Sequence, residues 1–67
     1  MLYVYHIFDE DGALIERVPL STEEMQDEFR IDYPFSEEDL KEIGYELCEG
    51  YTDAVDFKLV IDNSPSF

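Results

Sequence analysis

Basic side chains are what this chain has least of. Four Lys and Arg stand against eighteen Asp and Glu, a formal net charge of −14. Arg17, Arg30, Lys41 and Lys58 are spread along the sequence and predict no cluster, which excludes gripping DNA, RNA or an anionic membrane through a cationic patch. Cysteine is nearly absent: Cys48 stands alone, so no internal disulfide can form, and its place among apolar neighbours predicts a buried thiol in a reducing compartment. Tryptophan is missing and His6 is the sole histidine. His6 and Cys48 are too few soft ligands for a zinc site. No apolar run approaches the roughly 18 residues of a membrane span, and no basic leader precedes the first strand-like run, so a cytoplasmic protein is expected.

What is present points to a folded domain. Sixty-seven residues allow one domain, near the lower size limit for a single core. The 45 % apolar content, with five Phe and five Tyr, is too hydrophobic for a disordered acidic tail. Charge is therefore the outlier. A small domain needs a net charge of only roughly 2 to 8 for solubility, and self-repulsion beyond that costs stability. Halophilic adaptation would favour fewer bulky Ile, Phe and Tyr residues, so the excess points instead to a basic partner.

The stretch from Phe35 to Tyr51 has the clearest period. Leu40, Ile43, Leu47, Cys48 and Tyr51 recur at helical spacing on one stripe, while Glu37, Glu38, Glu42 and Glu49 face away. Ser36 is its N-cap, Asp39 the capping-box partner, Phe35 and Leu40 the hydrophobic staple, and Gly50 its C′ residue. The helix is expected over 37–49, with Gly44 tolerated where a strand packs closely. The same device at Leu20, Ser21, Glu24 and Met25 predicts a shorter helix over 22–30.

Strands fill the rest. Met1 to Phe8 alternates Leu2, Val4, His6 and Phe8 against Tyr3, Tyr5 and Ile7, apolar enough on both sides for a central strand. Asp9-Glu10-Asp11-Gly12 is a turn, and Ala13 to Leu20 returns as an edge strand because Pro19 cannot donate to a ladder. Ala54 to Asp62 alternates Val55, Phe57, Leu59 and Ile61 inward against Asp56, Lys58 and Asp62 outward. The expected fold is α+β, a three-stranded antiparallel sheet with two helices on one face, order β-β-α-α-β, with the first strand central. Residues 1–62 form a single acidic domain and 63–67 a short tail. Tyr3, Tyr5 and Ile7 are expected on the open face.

No residue set spells out a reaction. Paired carboxylates do acid/base work only in a cleft that separates their pKa values, and a domain this small has little interior for one. His6 reads as a sheet-face or core histidine, Cys48 has no histidine at helical spacing, and no nucleophile elbow or Gly-rich phosphate loop is present. Asp9, Asp11 and Gly12 resemble a fragment of a calcium loop without its terminal bidentate Glu, so they read as a tight acidic turn. No cofactor and no metal are expected, and the chain reads as a non-enzyme.

The acids themselves are the signal. Glu38, Glu42, Glu46 and Glu49 succeed one another at helical spacing, and a four-residue step rises about 6 Å, close to the phosphate spacing along a nucleic-acid strand. Duplex DNA carries one charge per roughly 1.7 Å of axis, so fourteen charges match about 24 Å, some seven base pairs. Glu23, Glu24, Asp27 and Glu28 on the first helix and Asp9, Glu10 and Asp11 on the turn extend the set.

In size, acidity and order of elements the chain resembles small phage-encoded anti-CRISPR proteins, and more loosely the DNA-mimic antirestriction proteins of phages and plasmids. The resemblance spans the chain as architecture. It is carried mainly by Asp27-Glu28-Phe29 through Tyr33-Pro34, Ser36 to Leu40, and the last strand. It implies a non-enzymatic inhibitor in the cytoplasm of a bacterial host, presenting carboxylates to a basic nucleic-acid-binding complex, a CRISPR-Cas subunit among the candidates, without binding nucleic acid itself. Glu38, Glu42, Glu46 and Glu49, with Glu23, Asp27, Asp9, Glu10 and Asp11, are the candidate partner-binding acids; Tyr3, Tyr5 and Tyr45 are the candidate aromatic anchors. The alternative is a small regulatory or accessory subunit, monomeric or homodimeric, that pairs through the open sheet face or an edge strand.

Overall fold

A computed structural model of the chain describes residues 1–62, so the expected tail at 63–67 lies outside the described residues. The elements are β1 (Leu2–Phe8), β2 (Leu14–Ser21), α1 (Thr22–Phe29), α2 (Glu37–Glu49) and β3 (Asp56–Asp62). The strands form one antiparallel sheet in the order β2-β1-β3, with β1 central.

Local chemistry sets each joint. In the hairpin, the Asp9 carboxylate accepts from the backbone N–H groups of Asp11 and Ala13, both at 2.9 Å, and Gly12 takes the positive φ of 83° that a side chain would resist. A bulge follows: Ile7 faces Glu16 but Phe8 faces Leu14, leaving Ile15 unopposed. Both helices begin with full capping boxes. Ser21 and Glu24 exchange hydrogen bonds of 3.2 Å, and Ser36 and Asp39 exchange bonds of 3.1 and 3.3 Å. α1 stops at Phe29, one residue short of expectation, because Arg30 caps it in the left-handed region at φ 54°. Gly50 is the C-cap of α2 at φ −76°, one position inside the C′ place expected from sequence.

The face of β1 that meets the helices is the opposite of the one expected. Tyr3, Tyr5 and Ile7 do not lie on the open face; they are buried with Leu20, Met25 and Ile43 beneath α1 and α2. Register explains the choice. His6 sits directly between Arg17 and Lys58, and three such side chains in one row must face water, which sends the other parity inward. Tyrosine is tolerated there because the Tyr5 hydroxyl donates to the Leu40 carbonyl at 2.8 Å. Val4, on the open face, is still buried, since Pro19 and Val60 lie directly opposite it on either side.

α2 runs along β1 in the same direction. Phe35 packs edge-on against Tyr3 at 5.4 Å, Leu40 meets Tyr5, and Gly44 meets Phe57, the partner of Ile7. A Cβ at Gly44 would run into the Phe57 ring, so glycine is what lets helix and strand close up. β3 starts at Asp56, later than expected, and Val55 is exposed instead of inward.

Candidate functional site

The acids divide into those that hold the fold and those that face water unengaged by it. Glu24 and Asp39 close the capping boxes, the Asp9 carboxylate organises the turn, and Glu16 and Asp56 each accept from the next backbone N–H. Asp9, a candidate partner-binding residue, is thus half-buried and structural. Glu38, Glu42, Glu46 and Glu49 are exposed along α2. At 3.6 residues per turn they fall within about 80° of arc, over roughly 17 Å of axis. Tyr45 borders the same stripe about 20° beyond Glu38; it is 60 % exposed, its ring packed edge-on to Phe57 at 5.3 Å.

The three candidate tyrosines therefore separate. Tyr45 stands beside the carboxylates, whereas Tyr3 and Tyr5 are 4 % and 0 % exposed and cannot anchor a partner. Burial also raises both of their phenols above the ordinary value, Tyr5 the more strongly. Glu23 and Asp27 are exposed on α1.

Because α2 runs with β1, its C-terminal end arrives where the hairpin turn is. There Asp9, Glu10 and Asp11 share a shallow pocket with Thr52, Asp53 and Val55, joined by a 2.9 Å hydrogen bond from the Val55 N–H to the Phe8 carbonyl. The stripe and the turn thus approach one end of the molecule. Asp53 is a member that sequence spacing alone did not pick out, since its neighbours come from a hairpin more than forty positions away.

Two of the four bases lie on the other side, while Lys41 is exposed on α2 and Arg30 caps α1. Arg17 and Lys58, expected to be unclustered, flank His6 in one row across the open sheet face. Alternation puts Glu16 on the helix side, and Asp56 and Asp62 at the two ends of the open face. The exposed carboxylates of both helices thus share their side with Lys41 and Arg30, and the open face carries Arg17 and Lys58 together with Asp56 and Asp62.

Catalytic candidates are not drawn together. Cys48 is half-buried, less than expected, with its Sγ 3.7 Å from the Asp56 carbonyl oxygen. Burial first, and then the Asp56 charge, push the thiol's pKa up, away from the thiolate that nucleophilic chemistry needs. No group of three or more His, Cys, Asp or Glu among the described residues is placed to hold a metal ion. No helix among them is long and apolar enough to cross a membrane.

No family model matches the chain, and comparison with curated proteins and with solved structures returns no match. The site must be read from its own chemistry. A helix that exposes four carboxylates and one aromatic ring can pair with cationic groups through both charge and ring contact.

Proposed function

We propose that this protein is a non-enzymatic inhibitor of phage type, which uses its acidic surface in place of nucleic acid to occupy the Lys/Arg-lined binding site of a host defence complex, CRISPR-Cas or restriction. The reading rests on one observation: Glu38, Glu42, Glu46 and Glu49 are all exposed on one stripe of α2 with Tyr45 beside them. Four-residue steps of about 6 Å let successive carboxylates answer cations spaced for successive phosphates. Placement of Arg17 and Lys58 on the opposite side of the sheet adds to this, leaving Lys41 as the one base on α2.

Reversal of two central acids tests it. The Glu42→Lys, Glu46→Lys double variant should keep the fold, since both positions are exposed and the ammonium introduced at position 42 would face Glu38 one turn away. Association with the target complex should slow by about tenfold or more, with little change in thermal midpoint. A folded double variant that inhibits as well as the wild type would contradict this surface. The alternative, an accessory subunit pairing through Tyr3, Tyr5 and Ile7, loses those side chains to the core. What remains of it is an edge strand.

A further inference from the structure

The two edges of the sheet are unlike. On β2, Pro19 removes a donor and the bulge at Ile7/Phe8 breaks the ladder, two devices that blunt an edge against pairing. β3 has neither. Over seven residues, DFKLVID, it pairs only with β1, and no other described strand lies along its outer side. Val60 and Ile61 are 41 % and 43 % exposed there. A groove of about 370 Å³ lies between this strand and α2, lined by Leu40, Phe57 and Leu59 with Glu37 and Lys41.

The strand's sequence is self-complementary in one register. Placed antiparallel to a second copy about an axis through Val60, it sets Val60 against Val60, Leu59 against Ile61 and Lys58 against Asp62, the last two twice each by symmetry. Opposed residues share a face, so the Leu59–Ile61 pairs fall on the helix side beside the groove, and the Lys58–Asp62 pairs fall on the open side. Shifting the axis to Leu59 would set Asp56 against Asp62, like charge on like. Shifting it to Phe57 would leave only three residues of β3 paired within the strand, against five about Val60. From this we infer that β3 is an isologous docking edge for a second copy of the chain. The two three-stranded sheets join into one of six, β2-β1-β3-β3-β1-β2, with all four helices on one side. Glu37 and Lys41 on the groove rim are of opposite sign, so two grooves brought together antiparallel can match unlike charges.

Charge makes the association distinctive. Two chains of −14 repel, and salt screens that repulsion more than it weakens the strand's hydrogen bonds and apolar pairs. Dimerisation should therefore strengthen with ionic strength, the reverse of the dependence expected for the acidic surface on a basic target.

Sedimentation equilibrium on the full chain tests this, from about 10 μM to about 1 mM and at low and about 0.5 M salt. The expected result is a mass rising from 7.9 kDa towards twice that, at lower concentration in high salt. Val60→Lys places two like charges on the axis, and Lys58→Asp sets acid against Asp62; each should weaken the dimer at least tenfold. The exchange Lys58→Asp with Asp62→Lys should restore it while leaving composition unchanged. A monomer under all conditions, or a dimer that survives both single variants, would overturn the inference. A monomer that still competed with duplex DNA for a defence complex would overturn the dimer and leave the inhibitor reading standing.

Discussion

Tyr5 shows how one side chain ties the layers together. Its ring lies fully buried in the middle of the central strand, 6.0 Å from Phe57, and its hydroxyl reaches the Leu40 carbonyl on α2. Tyr5→Phe removes that bond while keeping the ring, so a loss of about 1 kcal/mol is expected in urea unfolding near neutral pH. The pH dependence has a definite sign. Burial, with Tyr3 nearby, raises the folded-state phenol above the ordinary 10.0, so the native state holds a proton that the unfolded chain gives up first. Stability from this group is fully present below about pH 10 and falls above it, by about 1.4 kcal/mol per unit of pH while only the unfolded form ionises. Comparing unfolding midpoints at neutral and alkaline pH should show a steeper loss for the wild type than for Tyr5→Phe. Equal losses would mean that Tyr5 is not the titrating group.

Among the elements, α2 makes both the core contact and the acidic display, and Gly44 is where the two meet. In an exposed helix Gly→Ala would stabilise by about 1 kcal/mol. Here the Phe57 ring occupies the space of the added methyl, so Gly44→Ala should instead destabilise by about 1 to 3 kcal/mol, as overpacking does. A smaller residue at 57, as in Phe57→Leu, should recover part of that loss, and a stabilising single Gly44→Ala would show the helix to sit further from the sheet. The bounds of α2 were legible from Ser36, Asp39 and the apolar stripe, and the hairpin from Asp9 and Gly12, because caps and turns are decided by a few adjacent atoms. The facing of β1 was not. Both of its sides are apolar, and the choice belongs to the cross-strand row Arg17–His6–Lys58, which exists only once three strands are in register. The exposure of Tyr45 beside the acidic arc follows from helical spacing along α2. The place of Asp53 was not legible, because the hairpin turn beside it is distant in sequence.

At the scale of the whole molecule, the exposed acids of α2 and of the hairpin turn approach one another. α2 directs its stripe of Glu38, Glu42, Glu46 and Glu49 towards the end that carries Asp9, Glu10, Asp11 and Asp53, while the sheet turns Arg17, His6 and Lys58 to the opposite side. A field of this sign would draw positively charged surfaces towards the α2 side, as the proposed function requires. The central claim is that the acids stand in for nucleic acid. The most direct measurement is the affinity of the purified protein for purified CRISPR-Cas and restriction complexes, at about 50 and about 200 mM salt, each with and without target duplex. The expected result is a complex whose affinity falls steeply with salt and from which duplex DNA displaces the protein competitively. A partner held equally well at both salts, with DNA bound alongside, would contradict it.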